Sequence, residues 1–187
     1  MVSLTSLPSD LPAPEDNGEA DHLADLDLPL ISLPSTSGGL VAPAQVSGWT
    51  VLYFYPMTGR PDIALPDNWD AIPGARGCTP QSCSFRDHYH ELQSVGAAVY
   101  GVSSQSTDYQ REALERLHLP FPLLSDETLQ YKNQLRLPTF TVDGMELYKR
   151  LTLIANSGSI KKVFFPVFPP DQNAANVLDW LKNSVQS

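Results

Sequence analysis

The sequence has no hydrophobic run that approaches the roughly 20 apolar residues needed to cross a bilayer as a helix. It is also poor in basic residues, because 12 lysines and arginines stand against 21 aspartates and glutamates, for a formal net charge of −9. This balance argues against nucleic acid or an anionic membrane as a partner. The N-terminus lacks the basic and apolar regions of a secretory signal peptide. We therefore expect the chain in the cytoplasm, or in the nucleus.

Cysteine is scarce: only Cys78 and Cys83 occur, which is too few for the disulfide scaffold of a small secreted protein. We therefore expect both thiols to be mostly reduced. The length of 187 residues suits one domain with a sizeable core and some tail. A composition of 42% hydrophobic and 18% charged residues is typical of a folded chain rather than a disordered one.

The chain divides unevenly along its length. Residues 1–22 carry Pro8, Pro12 and Pro14 among Ser, Asp and Glu, which predicts an extended, weakly ordered segment. Residues 23–187 are interpreted as one domain. It opens with short strand-like pieces that are separated by Gly, Ser and Pro turns.

Apolar runs of strand length predict a sheet. "WTVLYFYP" (49–56) is β-branched and aromatic throughout and indicates a strand buried on both faces, ended by Pro56. "AAVYGVSS" (97–104) predicts a second buried strand. Residues 148–167 predict a hairpin about a turn at 156–158.

Helical periodicity lies between and after these runs. Helices are predicted directly after the cysteines, where Phe85, Tyr89 and Leu92 share a face, and at 107–119, 128–135 and 171–185. Thr107 or Asp108 is the expected N-cap of the second helix. The order of elements indicates an α/β fold, a central mixed sheet flanked by helices, and is compatible with a thioredoxin-like sheet.

Cys78 stands at the point where a 21-residue Pro- and Gly-rich loop meets a predicted helix. A helix N-terminus presents free N–H groups and the positive end of the dipole, and both favour thiolate over thiol. Arg76 adds positive charge, and Pro80 suits the first helical turn. The alternative is a buried structural thiol, since free cysteine is often part of a core.

Cys83 follows five residues later, so on an intact helix it is offset by about 7.5 Å along the axis. A disulfide needs Cα atoms within roughly 4.4–6.8 Å of each other. A bond between Cys78 and Cys83 therefore requires the helix to unwind. This favours a redox cycle in which Cys78 is oxidised to a sulfenic acid and Cys83 then closes the disulfide.

The stretch "GCTPQSCSFRD" (77–87) closely resembles the active-site signature of Q-type peroxiredoxins, the bacterioferritin comigratory proteins of the alkyl hydroperoxide reductase and thiol-specific antioxidant family. "WTVLYFYP" resembles the central strand of that family. "RLTLIANSGSIKKVF" (150–164) resembles its arginine-bearing strand and hairpin. The resemblance extends from about Leu26 to the C-terminus and implies a thioredoxin-like fold with an N-terminal extension.

The resemblance implies thiol-dependent reduction of hydrogen peroxide and organic hydroperoxides. Cys78 would be the peroxidatic cysteine, Cys83 the resolving cysteine, and Arg150 the cation against the thiolate. A thioredoxin-like reductant would recycle the disulfide, and no metal, haem or flavin is expected. Because resolution within one chain needs no second subunit, a monomer is expected.

This sequence departs from the family pattern at two positions. Ala71 stands where the family has a proline, and Ala75 where it has a threonine whose hydroxyl orients the peroxide. We hypothesise that Thr58 folds back to supply that hydroxyl, with Thr79 as the second candidate. Pro56 and Gly77 are predicted to complete the substrate site, and Arg60 or Arg76 to compensate in part.

Three other interpretations remain. A non-catalytic peroxide sensor or redox switch could use the same two thiols. A thiol–disulfide oxidoreductase usually has its cysteines only two positions apart, so the spacing here disfavours it. Zinc binding by His88 and His90 with the cysteines is disfavoured because the spacing matches no common zinc finger.

Overall fold

The computed structural model describes residues 7–185, and its centre is a five-stranded mixed sheet. The strands are β1 (Leu33–Pro34), β2 (Leu40–Val41), β3 (Trp49–Phe54), β4 (Ala97–Ser103), β5 (Leu123–Ser125), β6 (Thr139–Val142), β7 (Met145–Tyr148), β8 (Leu151–Asn156) and β9 (Ser159–Phe164). The helices are α1 (Cys78–Asp87), α2 (Tyr89–Ser94), α3 (Thr107–Leu117), α4 (Gln130–Leu135) and α5 (Asn173–Val185). Short 3-10 turns lie at Asp21–Leu23, Pro43–Gln45, Trp69–Ala71 and Pro170–Gln172.

Strand β3 occupies the middle of the sheet, whose strand order is β5-β4-β3-β8-β9. It runs parallel to β4 and antiparallel to β8. Its residues 51–54 are fully buried, which confirms the prediction that "WTVLYF" is covered on both faces. The predicted hairpin is also confirmed, since β8 and β9 are joined by a tight turn at residues 157–158.

Helices cover both faces of the sheet, as the order of elements predicts. On one face, side chains of α1, α2 and α5 pack with Val51 and Tyr53 of β3 into one apolar cluster. On the other face, α4 and residues 20–33 pack against Leu52 and Phe54. The alternation of β3 side chains between these clusters is the period-2 pattern of a strand.

Two local predictions were wrong in detail. The N-cap of α3 is Ser106, not Thr107 or Asp108, because the Ser106 hydroxyl accepts a hydrogen bond from the N–H of Tyr109 at 3.2 Å. The helix predicted after the cysteines is broken at His88, where α1 ends and α2 begins.

Both edges of the sheet are partly covered by residues that precede β3. At one edge, the N–H of Thr36 donates to the carbonyl of Leu123 in β5 at 3.0 Å. At the other edge, the N–H of Ile160 in β9 donates to the carbonyl of Leu26 at 2.8 Å. Unpaired edge groups are thereby reduced on both sides.

Part of the predicted N-terminal segment packs on the domain. Ala20 is buried in the second cluster, His22 Nε2 lies 2.8 Å from the carbonyl oxygen of Leu135, and Glu19 forms an ion pair with Lys149. Residues 1–6 of that segment lie outside the described residues, so the boundary between residues 22 and 23 stays a prediction. Within residues 7–185, no helix has the length and apolar character that a membrane span needs.

Candidate active site

Gly77 sets the start of α1. Its φ is +112°, in the left-handed region where a side chain is strained. A Cβ at this position would overlap Cγ of Pro170, so only glycine fits between the loop and the 3-10 turn before α5. The N–H of Gln81 donates to the carbonyl of Gly77 at 3.0 Å and closes the first helical turn. Cys78 is therefore placed at the helix N-terminus, as the sequence predicts.

Arg150 lies directly against the thiol of Cys78. Its Nη2 is 3.2 Å from Cys78 Sγ, and both residues are 3% exposed. Sγ is also 3.7 Å from the carbonyl oxygen of Ala75, to which the thiol form can donate. A buried guanidinium favours the negative sulfur, because the charge of the thiolate then has a partner at short range. The sequence-predicted pair is thus brought together from 72 positions apart.

The same guanidinium supports the loop before Cys78. Nη2 of Arg150 lies 3.2 Å from the carbonyl oxygens of Gly74 and Ala75, and 3.3 Å from that of Arg76. One nitrogen with two N–H groups is therefore within hydrogen-bond distance of three carbonyl oxygens and the sulfur. The position of Cys78 and the shape of its loop depend on the same side chain.

A buried amide network holds Arg150 in place, and no sequence motif predicted it. Arg150 Nη1 donates to Oε1 of Gln81, and Nε2 of Gln81 donates to Oδ1 of Asn173 at 2.9 Å. Thr152 Oγ1 donates to the same Asn173 oxygen at 2.7 Å. Because Asn173 Oδ1 accepts from Gln81, the Gln81 oxygen is turned toward Arg150. The one available signal was spacing, since Gln81 lies one helical turn after Cys78.

Cys83 lies in the same intact helix as Cys78, and both thiols are free. Its side chain is half-buried beside the cluster under α1. Burial raises the pKa of the Cys83 thiol; Arg86 partly opposes the shift, and Asp87 adds to it. Cys83 is therefore held as a neutral thiol while α1 is folded, in contrast to the cationic surroundings of Cys78.

The space next to Cys78 is small, about 10 Å³, close to the room that one water molecule needs. The lining residues are Met57, Gly59, Leu65, Trp69, Arg76, Gly77, Cys78 and Thr79. Arg76 donates to Oδ1 of Asp70 at 2.9 Å. The wall combines the apolar side chains of Met57, Leu65 and Trp69 with the polar groups of Arg76, Cys78 and Thr79.

The two candidate threonines have different surroundings. Thr79 lines the space together with Cys78. Thr58 is fully buried, its hydroxyl donates to Oε1 of Gln105 at 3.4 Å, and its N–H donates to the same oxygen at 3.1 Å. Among residues 7–185 no hydrogen bond joins Thr58 to Cys78. The hypothesis that Thr58 serves the thiolate stays a prediction, and the structure gives that hydroxyl another partner.

The remaining predicted site residues make other contacts. Pro56 is buried at the end of β3. Arg60 pairs with the exposed Asp62 and lies over the ring of Tyr109, 5.5 Å from its centroid. His88 Nδ1 lies 2.8 Å from the carbonyl oxygen of Ser84, and in the described part of the chain no three metal-binding side chains form a cluster.

Known proteins share both this sequence and this architecture. The model of the AhpC/TSA family matches residues 71–163, from the loop before Cys78 to β9. The match spans 93 of the 187 residues and confirms the resemblance of this chain to the AhpC/TSA family. The chain is 28% identical to chloroplastic peroxiredoxin Q of Sedum lineare over 159 residues, which cover 83% of this chain and 75% of the relative. Chloroplastic peroxiredoxin Q of Triticum aestivum is 27% identical over 83% of this chain and 64% of its own length.

Solved structures confirm the thioredoxin-like peroxiredoxin fold. Peroxidoxin BcpB from Mycobacterium tuberculosis superimposes with a TM-score of 0.70 at 24% identity, covering 86% of this chain and 96% of that protein. A Xylella fastidiosa PrxQ mutant superimposes with a TM-score of 0.68 at 19% identity, covering 96% and 99%. The Q-type resemblance of the motif at 77–87 is thus matched by the names of these AhpC/TSA relatives.

Proposed function

We propose that this protein is a thiol peroxidase of the AhpC/TSA family, which reduces hydrogen peroxide and organic hydroperoxides through Cys78. The observation that carries the proposal is the 3.2 Å distance between Cys78 Sγ and Arg150 Nη2 at a helix N-terminus. Low-charge surroundings would leave the thiol inert, whereas this arrangement favours the nucleophilic thiolate.

In the first step, the Cys78 thiolate attacks one oxygen of the peroxide. A sulfur–oxygen bond forms and the oxygen–oxygen bond breaks, so Cys78 becomes a sulfenic acid. The departing oxygen takes up a proton and leaves as water or an alcohol. Arg150 is placed to donate a hydrogen bond to the peroxide oxygens and to stabilise the developing negative charge.

In the second step, Cys83 attacks the Cys78 sulfenic acid, a disulfide forms and water leaves. Because both cysteines lie in α1, this step requires at least its first turn to unwind. A thioredoxin-like dithiol is the proposed reductant, and it restores both thiols by taking up the oxidising equivalents as its own disulfide. Resolution within one chain makes a monomer sufficient, and the proposed location is the cytoplasm or nucleus.

The surroundings of Cys78 favour small peroxides. Met57, Leu65 and Trp69 form the apolar part of its wall. That wall suits the organic part of a hydroperoxide, but the space must widen to admit one. In place of the family threonine at position 75, we propose Thr79 as the hydroxyl that faces the peroxide, because it lines the same space as Cys78.

Mass spectrometry after one equivalent of hydrogen peroxide tests the cysteine assignments. We expect a Cys78–Cys83 bond within one chain, a stable Cys78 sulfenic acid or its over-oxidised product in Cys83→Ser, and no oxidation of Cys83 in Cys78→Ser. Oxidation of Cys83 without Cys78 would contradict the assignment of Cys78 as the nucleophile.

Turnover separates the peroxidase from a non-catalytic sensor that uses the same thiols. With a thioredoxin, its reductase and NADPH, a peroxidase consumes many equivalents of peroxide per chain. A sensor would form one disulfide per chain and stop. The Cys78→Ser variant provides the background rate.

A further inference from the structure

A cavity of the described chain is bordered by Arg150 and is lined by none of the residues around the small space next to Cys78. It has a volume of about 410 Å³, within the range of small-molecule sites. Its walls come from residues 13–17, the loop at 72–74, β6, residues 149–150 and residues 165–166. Residues 13–17 precede the match to the family model, so the cavity depends on a part of the chain that the family does not define.

The walls combine apolar rings with two cations. Pro14, Pro73, Phe140 and Phe165 supply apolar surface, and Lys149 and Arg150 supply the positive charges. The two cations are adjacent in the sequence, in a chain with a net charge of −9. Such a wall suits a molecule with an apolar body and one negative group.

The hydrogen bonds and ion pairs of the two cations favour an anionic ligand. Arg150 is 3% exposed, and its Nε has no hydrogen-bond partner among residues 7–185. Lys149 pairs with Glu19, but both side chains are about one-third exposed, and such pairs contribute little. Glu15 also lies on the wall, which disfavours ligands that carry two negative charges.

We propose that this cavity binds a medium-chain carboxylate or a similar amphipathic monoanion. Its carboxylate lies at Lys149 and Arg150 and its chain against Phe140 and Phe165. Because the guanidinium that borders the cavity also contacts Cys78, binding changes the reactivity of that thiol. This site is separate from the peroxide site, and its existence does not depend on peroxidase activity.

Calorimetric titration of the reduced full-length chain with decanoate tests the proposal. We expect a dissociation constant below about 1 mM, as the efficiency of small ligands allows. The Ala13→Trp variant places a large ring at the exposed wall of the cavity and is expected to weaken binding at least about tenfold. Ala64→Trp, at another exposed alanine outside the cavity wall, is the matched control and keeps binding.

Charge selection is tested with 1-decanol and with Lys149→Gln. We expect decanoate to bind more tightly than decanol, and Lys149→Gln to weaken decanoate alone. In the same samples, decanoate is expected to change the rate at which iodoacetamide alkylates Cys78 at least about twofold. No binding of decanoate, equal binding to Ala13→Trp, or equal binding of decanol would each overturn the proposal.

Discussion

Arg150 Nη2 lies 3.2 Å from Cys78 Sγ, although the two residues are 72 positions apart in the chain. The same nitrogen lies within 3.3 Å of the carbonyl oxygens of Gly74, Ala75 and Arg76. One buried side chain therefore both contacts the sulfur and holds the loop that presents it. A variant at position 150 will affect chemistry and loop geometry together.

Arg150→Lys is expected to lower the peroxidase rate about 10- to 100-fold, because a charge-assisted hydrogen bond contributes about 1.5–3 kcal/mol. Lysine keeps the charge but cannot reach Gln81, the loop and Cys78 at once. Steady-state peroxide consumption measures the rate, and alkylation of Cys78 at pH 6 reports the thiolate separately. Arg111→Lys, on the exposed face of α3, is the control and leaves both unchanged. An equal loss in both variants would argue against a role for Arg150.

Asn173→Ala is expected to slow alkylation of Cys78 several-fold, although Asn173 does not contact the sulfur. The change removes the acceptor that turns the Gln81 amide toward Arg150. It also leaves buried donors unpaired, so the free energy of unfolding falls by about 1–3 kcal/mol. Asn173→Asp retains the acceptor oxygen and is expected to recover much of the alkylation rate. Asn176→Ala, on the exposed side of α5, is the control for helix propensity. If Asn173→Ala lost stability but kept the full alkylation rate, Asn173 would be structural only.

Cys83 is expected to react with iodoacetamide only at a higher pH than an ordinary cysteine. Burial raises its pKa, so the neutral thiol persists as the pH rises through the usual range of cysteine. The measurement uses Cys78→Ser, with the same variant unfolded in urea as the reference. Arg86→Gln removes the charge that opposes this shift and moves the reaction to still higher pH. A midpoint at or below that of the unfolded chain would contradict this account.

Gly77→Ala is expected to destabilise the protein more than Gly38→Ala. Both glycines have positive φ, +112° and +91°, so both variants carry backbone strain of about 1–2 kcal/mol. Only at position 77 does the new Cβ overlap Pro170, whereas position 38 has open space. That overlap adds about 1–3 kcal/mol, which urea unfolding measures. Equal losses in the free energy of unfolding would show that Pro170 moves aside without destabilising the protein.

Thr79→Val is expected to lower the rate with hydrogen peroxide about tenfold, because the hydroxyl that we propose to face the peroxide is lost while the shape is kept. Thr58→Val is the matched comparison, since it removes a hydroxyl that bonds to Gln105. We expect it to change stability more than rate. The reverse ranking of the two rates would favour the original assignment of Thr58.

The sequence predicted those elements whose signals are local. The β3 run has apolar residues on both faces and a proline at its end, so a strand buried on both faces was predicted, and the structure confirms it. The start of α1 was likewise marked by Gly77 and Pro80. Cys78 was identified from its position at the predicted helix start and Arg150 through resemblance, and the structure brings them into contact.

The remaining details depend on contacts between distant parts of the chain. Gln81 and Asn173 are 92 positions apart, and amide pairs leave no periodic trace in a sequence. The break at His88 interrupts a continuous apolar face, because the chain bends there while Phe85 and Leu92 keep contact with the same core. The N-cap was assigned to the wrong residue because Ser, Thr and Asp are all favoured at this position. Only the backbone geometry shows that Ser106 is the N-cap of α3.

The covered sheet edges matter because α1 unwinds in the proposed catalytic cycle. With Leu26 paired to Ile160 and Thr36 paired to Leu123, exposed main-chain groups on β5 and β9 are limited even when α1 is open. Pairing of strands between molecules is the usual route from a partly unfolded state to fibres or precipitate. Few free main-chain groups on β5 and β9 are then left for such pairing. The opening proposed near Cys78 would thereby be uncoupled from self-association.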